Sequence, residues 1–206
     1  LAVLFFFLVS CGTQKVKPTQ KIQSPDAELT LKMQHQIMYR NGNDTQVFEG
    51  YMIQKEDAYI VKAFAGPGVD LFTIARKAER RKDTLDLKML ANKLDVSKIG
   101  DDILRIFMDG CPFSAKTKET TACIVTAQKI IEKRDQEGRL TERRFPDAHT
   151  IGLNITYKDY SSFKNIALPA QIELQWGDGT RQMIIRTVSA ETSVTNDDSW
   201  IEKFLQ

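Results

Sequence analysis

The sequence is poor in the residues that carry most protein chemistry. It has two histidines in 206 residues, which leaves little scope for a His-rich metal site, and its three cysteines are too few for a disulfide-dense scaffold. A formal net charge of +2 lacks the basic excess of a nucleic-acid binder. No Gly-x-Ser-x-Gly elbow, phosphate loop, dinucleotide fingerprint or fixed-period repeat occurs. Neither His35 nor His149 lies near a Ser or Cys in a nucleophile motif. Asp101/Asp102 and Asp197/Asp198 are adjacent pairs, whereas catalytic carboxylates normally converge from separate segments, so they read as solvated. These absences argue against an enzyme, and no metal or cofactor is expected. Apolar residues, in contrast, make up 42% of the chain, ample for a folded core.

No apolar run is long enough to span a bilayer, which takes about 20 residues. The run Leu1-Ala-Val-Leu-Phe-Phe-Phe-Leu-Val9 is nine residues without a charge, the length of a secretory signal's apolar core. The chain opens on Leu without a basic segment, which reads as a start cut off upstream. Leu8-Val9-Ser10-Cys11-Gly12 resembles the bacterial lipobox. That resemblance implies cleavage before Cys11 and acylation of it, enough chains for stable anchoring; an ordinary signal with a chance Cys is the alternative. Gly12 stands where the inner-membrane retention signal has Asp, so the expected address is the periplasmic side of the outer membrane. Residues 1–10 are then a signal remnant and residues 11–26, polar, basic and broken by Pro18 and Pro25, a flexible tether. Residues 27–206 form a single domain.

Within that domain the dominant signal is period-2 alternation. Leu29, Leu31, Met33, Ile37 and Tyr39 alternate with polar residues, and similar strands follow at 47–53, 58–64, 69–75 and 85–89. A basic turn, Arg76 to Lys82, separates the last two. Between Val96 and Met108 the period changes: Ile99, Ile103, Ile106 and Phe107 form one helical stripe, with Asp101, Asp102 and Arg105 opposite. Strands then return, clearest at 151–157, 172–176 and 183–188. The expectation is a mainly β domain, a strongly curved antiparallel sheet or incomplete β-barrel of about ten strands covered by one to three helices. Its inner wall is expected to include Leu31, Met33, Ile37, Val61, Leu71, Leu85, Leu87, Ile155, Leu174 and Ile185. Whether that wall encloses a hollow or packs solid is not decided by alternation.

Three stretches carry a further likeness: the Cys11 lipobox, Ala63-Phe-Ala-Gly-Pro-Gly-Val-Asp-Leu-Phe-Thr-Ile74, and the closing series Gly152–Tyr157, Leu168–Leu174 and Met183–Val188. Together they resemble the LolA/LolB group of periplasmic lipoprotein carriers and its lipoprotein relatives. The resemblance implies an incomplete barrel closed by helices, with acyl chains or lipidated clients held in the concave face. In LolB-like receptors the loop between the third and fourth strands carries an exposed Leu at the membrane. The corresponding segment here is Gly66, Pro67, Gly68 and Val69, a candidate membrane-facing loop in which Val69 is the nearest apolar residue. Calling the protein a LolB receptor would go beyond this likeness.

With Cys11 acylated, Cys111 and Cys123 remain as a candidate disulfide, or as two free thiols. Arg76, Lys77, Arg80, Arg81 and Lys82, with Arg143 and Arg144 as companions, form either a solvated hairpin tip or a headgroup-contacting patch. The expected protein is a non-enzymatic, monomeric lipoprotein that binds or transfers acyl chains, anchored to the membrane through its N-terminal lipid. The alternative is an envelope assembly or scaffold lipoprotein that binds another protein through its outer wall or a sheet edge.

Overall fold

A computed structural model describes residues 29–55, 58–77, 80–85, 95–107, 120–125, 128–146, 152–164, 166–194 and 199–206. Among them the chain forms eleven strands and two helices. The first half holds β1 (Leu29–Asn41), β2 (Asp44–Gln54), β3 (Ala58–Gly66), β4 (Val69–Lys77) and β5 (Arg80–Leu85), then helix α1 (Val96–Phe107). The second holds β6 (Thr120–Val125), β7 (Gln128–Arg134), β8 (Leu140–Phe145), β9 (Leu153–Phe163), β10 (Ile166–Trp176) and β11 (Arg181–Val194), then helix α2 (Ser199–Leu205).

All eleven strands lie in one sheet in the order β5-β4-β3-β2-β1-β11-β10-β9-β8-β7-β6. Every neighbouring pair is antiparallel and consecutive in the chain except β1 with β11, which run side by side from Leu29↔Val194 to Asn41↔Arg181. The meander therefore joins its two ends and stays open between β5 and β6. Chain order puts α1 between those two edges. This is the incomplete barrel that the alternation implied.

Alternation fixes the two faces. Met33, His35, Ile37 and Tyr39 of β1 and Phe48 and Met52 of β2 are buried on the concave side, while Gln34, Gln36 and Glu49 between them are exposed. The same holds for Leu153, Ile155 and Tyr157 of β9, Ile172, Leu174 and Trp176 of β10, and Met183 and Ile185 of β11. Burial of each large apolar side chain contributes about 1.5–3 kcal/mol. β11 carries one extra residue opposite Gln34/His35, a bulge that leaves Val188 outside, 58% exposed.

The β3–β4 connection is a two-residue turn at Pro67-Gly68. Proline sets the first central residue and Gly68, at φ +76°, takes the positive dihedral that a type II turn demands. α1 starts where Asp95 caps it, its carboxylate accepting the Lys98 N–H at 3.1 Å. The basic residues expected as a turn lie instead in β4 and β5, where Arg76 faces Arg81 and Lys77 faces Arg80. Facing like charges are unfavourable. α2, which no periodicity announced, supplies the counter-charge: Glu202 accepts from Lys77 Nζ at 3.1 Å and from Arg80 at 2.8 Å. Its Ile201 packs on Ala58, Ile60 and Ala75, on the convex face of β3 and β4.

Candidate functional site

The concave face is largely filled. Met33, Ile37, Val61, Leu71, Ile155, Leu174 and Ile185 belong to one buried cluster with Ile99, Ile103, Leu104 and Ile106 of α1, and Leu31 packs against it. The wall is as apolar as expected, but α1 occupies the trough instead of merely covering it. Leu85 ends β5 without a described side chain, and Leu87 lies outside the described residues.

Space remains at the C-terminal end of α1. A cavity of about 210 Å³ lies among Leu31, Met33, Phe107, Leu140, Tyr157, Tyr160, Leu168 and Ile172. Of the eight expected wall residues with described side chains, Leu31 and Met33 border it; Ile37, Val61, Leu71, Ile155, Leu174 and Ile185 are solid core. Tyr160 was missed for a local reason. Asp159 has φ +54°, which breaks strict alternation after Tyr157 and brings Tyr160 to the concave side. Its hydroxyl donates to Leu140 O at 2.8 Å.

Two polar clamps hold α1 in place. At its C-terminal end, where the last carbonyls of a helix lack intrahelical partners, Arg143 Nη1 donates to Arg105 O at 2.7 Å and Ile106 O at 2.9 Å. The Tyr157 hydroxyl donates to Ile106 O at 2.9 Å, and Gln54 Nε2 to Phe107 O at 3.4 Å. Arg143 is 7% exposed and Glu132, its ion-pair partner at 2.8 Å, is 1% exposed. Arg134 holds the other Glu132 oxygen at 3.0 Å. Burial pushes the Tyr157 hydroxyl pKa up, keeping it protonated as a donor. Arg143 is therefore not part of a surface patch; the β8 register turns it inward, while Arg144 pairs with Glu142 outside.

The second clamp is Asp102, which is fully buried rather than solvated. Its oxygens lie 3.4 Å from Arg105 Nη1, 3.7 Å from Arg181 Nη1 and 3.5 Å from Trp176 Nε1. The Arg181 guanidinium stands 4.1 Å above the Trp176 ring, and that of Arg105 5.3 Å from it. Desolvation raises the Asp102 pKa to about 6 against the pull of Arg181 and Arg105. On the β1 wall, His35 is buried and tilted against Phe107, ring centroids 5.7 Å apart. Neither imidazole nitrogen has a hydrogen-bond partner among the described residues, and desolvation lowers its pKa to about 4.

The remaining expectations fall outside this site. Gly66, Pro67, Gly68 and Val69 form the β3–β4 hairpin tip, with Val69 43% exposed. Cys123 lies in β6 opposite Ile130, without a described side chain. Cys11, Cys111 and His149 lie outside the described residues, as do the lipobox and tether. Among the described residues no three His, Cys, Asp or Glu side chains converge as a metal site, and no helix is long and apolar enough to cross a membrane.

The sequence matches no protein-family model and no curated protein. Solved structures do share the architecture. A LolA superfamily protein from Nitrosomonas europaea aligns over 90% of this chain and 92% of its own, with TM-score 0.51 and 9% identity. An outer-membrane lipoprotein-sorting protein domain from Vibrio parahaemolyticus aligns over 86% and 90%, with TM-score 0.56 and 9% identity. The fold is LolA/LolB-like, an open antiparallel barrel with a helix in its trough. At this identity the likeness is one of fold, and function has to be argued from the site.

Proposed function

We propose that the protein is a non-enzymatic periplasmic lipoprotein, tethered through Cys11 to the outer membrane, that binds or transfers the acyl chains of a lipid or lipidated client in its concave face. One observation carries this reading: the apolar cavity at the end of α1 continues a wall whose other occupant is a single amphipathic helix. At about 210 Å³ the cavity is smaller than the roughly 300–1,000 Å³ of small-molecule sites. A full acyl chain enters only as α1 withdraws, trading its isoleucines for methylenes of similar apolar character. Burial of hydrocarbon at about 25 cal/mol per Å² drives binding without a catalytic group.

The test is uptake of a fluorescent fatty acid by the delipidated domain, with mass spectrometry of lipid carried through purification. Tyr157→Phe removes one donor to Ile106 O at a cost of about 1 kcal/mol and is expected to accelerate uptake. Leu168→Trp fills the cavity and is expected to abolish uptake with little change in Tm. Absence of both uptake and co-purified lipid would overturn the reading. The anchor is tested separately, by the mass of the Cys11 peptide from the native host.

A second reading has its own observation. On the convex face the register aligns Val47, Met38 and Ile184 in one row across β2, β1 and β11, and Val47 is 60% exposed. Such a stripe suits a protein partner, as an envelope scaffold would require. Val47→Asp combined with Ile184→Asp should then abolish partner capture in the periplasm while fatty-acid uptake and Tm stay unchanged. Loss of uptake with capture intact excludes this reading.

A further inference from the structure

The convex face of β3, β4 and β5 carries a second depression, separate from the acyl cavity and unrelated to it in chemistry. α2 covers the first part of this face with Ile201 and stops short of the rest. Beyond it lies a hollow of about 250 Å³ whose lining includes Lys62, Thr73, Lys82, Thr84 and Lys203. The register explains the convergence. Lys62, Thr73 and Thr84 are directly opposite one another on three consecutive strands, and Lys82 faces Ala75 in the next row. Lys203 reaches in from α2.

Charge is unevenly satisfied there. Asp70 takes up Lys62 at 2.5 Å, and Glu202 is engaged on the far side by Lys77 and Arg80. Among the described residues Lys82 has no ion-pair partner and the Lys203 ammonium has only the Phe204 ring, 5.2 Å away. Three cations against one carboxylate leave an excess of two positive charges around a floor of two threonine hydroxyls. Lysines offer donors and no acceptor, and hydroxyls can turn to donate. Such a set matches a ligand with several acceptor oxygens and negative charge, received from more than one direction.

We propose that this hollow binds a phosphate group, either a phospholipid headgroup or a soluble phosphate ester. A tetrahedral oxyanion accepts from Lys82, Lys203 and the Thr73 and Thr84 hydroxyls together, whereas a planar carboxylate offers two oxygens. Charge-assisted hydrogen bonds to such a group contribute about 1.5–3 kcal/mol each.

Inorganic phosphate titrated into the labelled protein should shift the backbone amide resonances of Thr73 and Thr84. Lys82→Gln/Lys203→Gln should weaken that binding by about a hundredfold or more, the equivalent of two lost charge-assisted bonds. Lys32→Gln/Lys129→Gln, which removes the same charge elsewhere, should leave it within about twofold. All these side chains are at or near the surface, so Tm serves as the control for folding. Flotation on vesicles of phosphatidylglycerol in phosphatidylcholine, against phosphatidylcholine alone, separates the sources. Phosphate binding together with groove-dependent flotation identifies a headgroup, and phosphate binding without flotation identifies a soluble ester. No shift at Thr73 and Thr84, or equal weakening in the two double variants, overturns the site; phosphate binding with flotation that ignores Lys82 and Lys203 assigns the hollow to a soluble ester.

Discussion

Arg143→Met is expected to lower the free energy of unfolding by about 3–5 kcal/mol, because it strips the buried Glu132 carboxylate of its inward partner while Arg134 stays on the other oxygen. It also removes the Arg143 donor from Arg105 O and Ile106 O, so the end of α1 keeps a weaker cap made by Tyr157 and Gln54. Total stability is about 5–15 kcal/mol for a domain of this kind, so the loss is a large share of it. Glu132→Leu combined with Arg143→Met removes both charges and should recover part of the loss, leaving the lost Arg143 donors at Arg105 O and Ile106 O and the altered Arg134 contact as the residual cost. Urea denaturation of the two single variants and the double variant measures this directly. An Arg143→Met variant within about 0.5 kcal/mol of the parent would show that the inward pair is not what holds the helix.

The second large effect is concealed in the parent protein and appears only in variants. Asp102 has its pKa raised to about 6 in the folded chain from 3.8. Its contribution is present below about 3.8 and is lost as pH rises through about 6. His35 has its pKa lowered to about 4 from 6.5. Its neutral form is favoured in the fold, so its contribution is present above 6.5 and is lost as pH falls toward 4. Each shift corresponds to a free energy on the order of 3 kcal/mol. The two slopes run in opposite directions over nearly the same interval and largely cancel. Asp102→Asn removes one of them, and stability should then fall steadily as the pH is lowered from 6.5 to 4. His35→Leu removes the other, and stability should rise over the same change. Surface carboxylates such as Asp135, Glu173 and Asp178, held below their ordinary range by Arg139, Lys158 and Thr180 respectively, add an acid limb common to all variants. The difference between variants isolates the buried pair. Parallel stability–pH curves for parent, Asp102→Asn and His35→Leu would refute the assignment.

These clamps bear on the proposed function. A helix held only by apolar contacts could slide out of the trough gradually. One held also by Arg143, Tyr157 and Asp102 leaves when those polar contacts are broken together or replaced. In the proposed function hydrocarbon takes the place of the apolar stripe of α1, and the clamps set how readily the helix yields it. Tyr157→Phe weakens one clamp without changing volume, which is why it is the informative variant for uptake.

Period-2 alternation along β1 and β9 and the change of period at Val96 were legible locally, because a residue buried on one face must be apolar whatever lies beyond it. The curved sheet with a helix in its opening follows from those patterns and from short turns such as Pro67-Gly68. Other features depend on residues far apart in the chain. The pairing of β1 with β11 has no local signature, and neither does the Arg143–Glu132 register across β8 and β7. Asp102 reads as solvated and Arg143 as part of a solvated or headgroup-contacting surface, because charged residues are usually exposed. Each is buried here because its partners arrive from other elements, and only assembled coordinates bring those partners within reach. Whether the trough is empty or filled belongs to the same class of question, since it depends on how far one helix sinks between walls built from both halves of the chain.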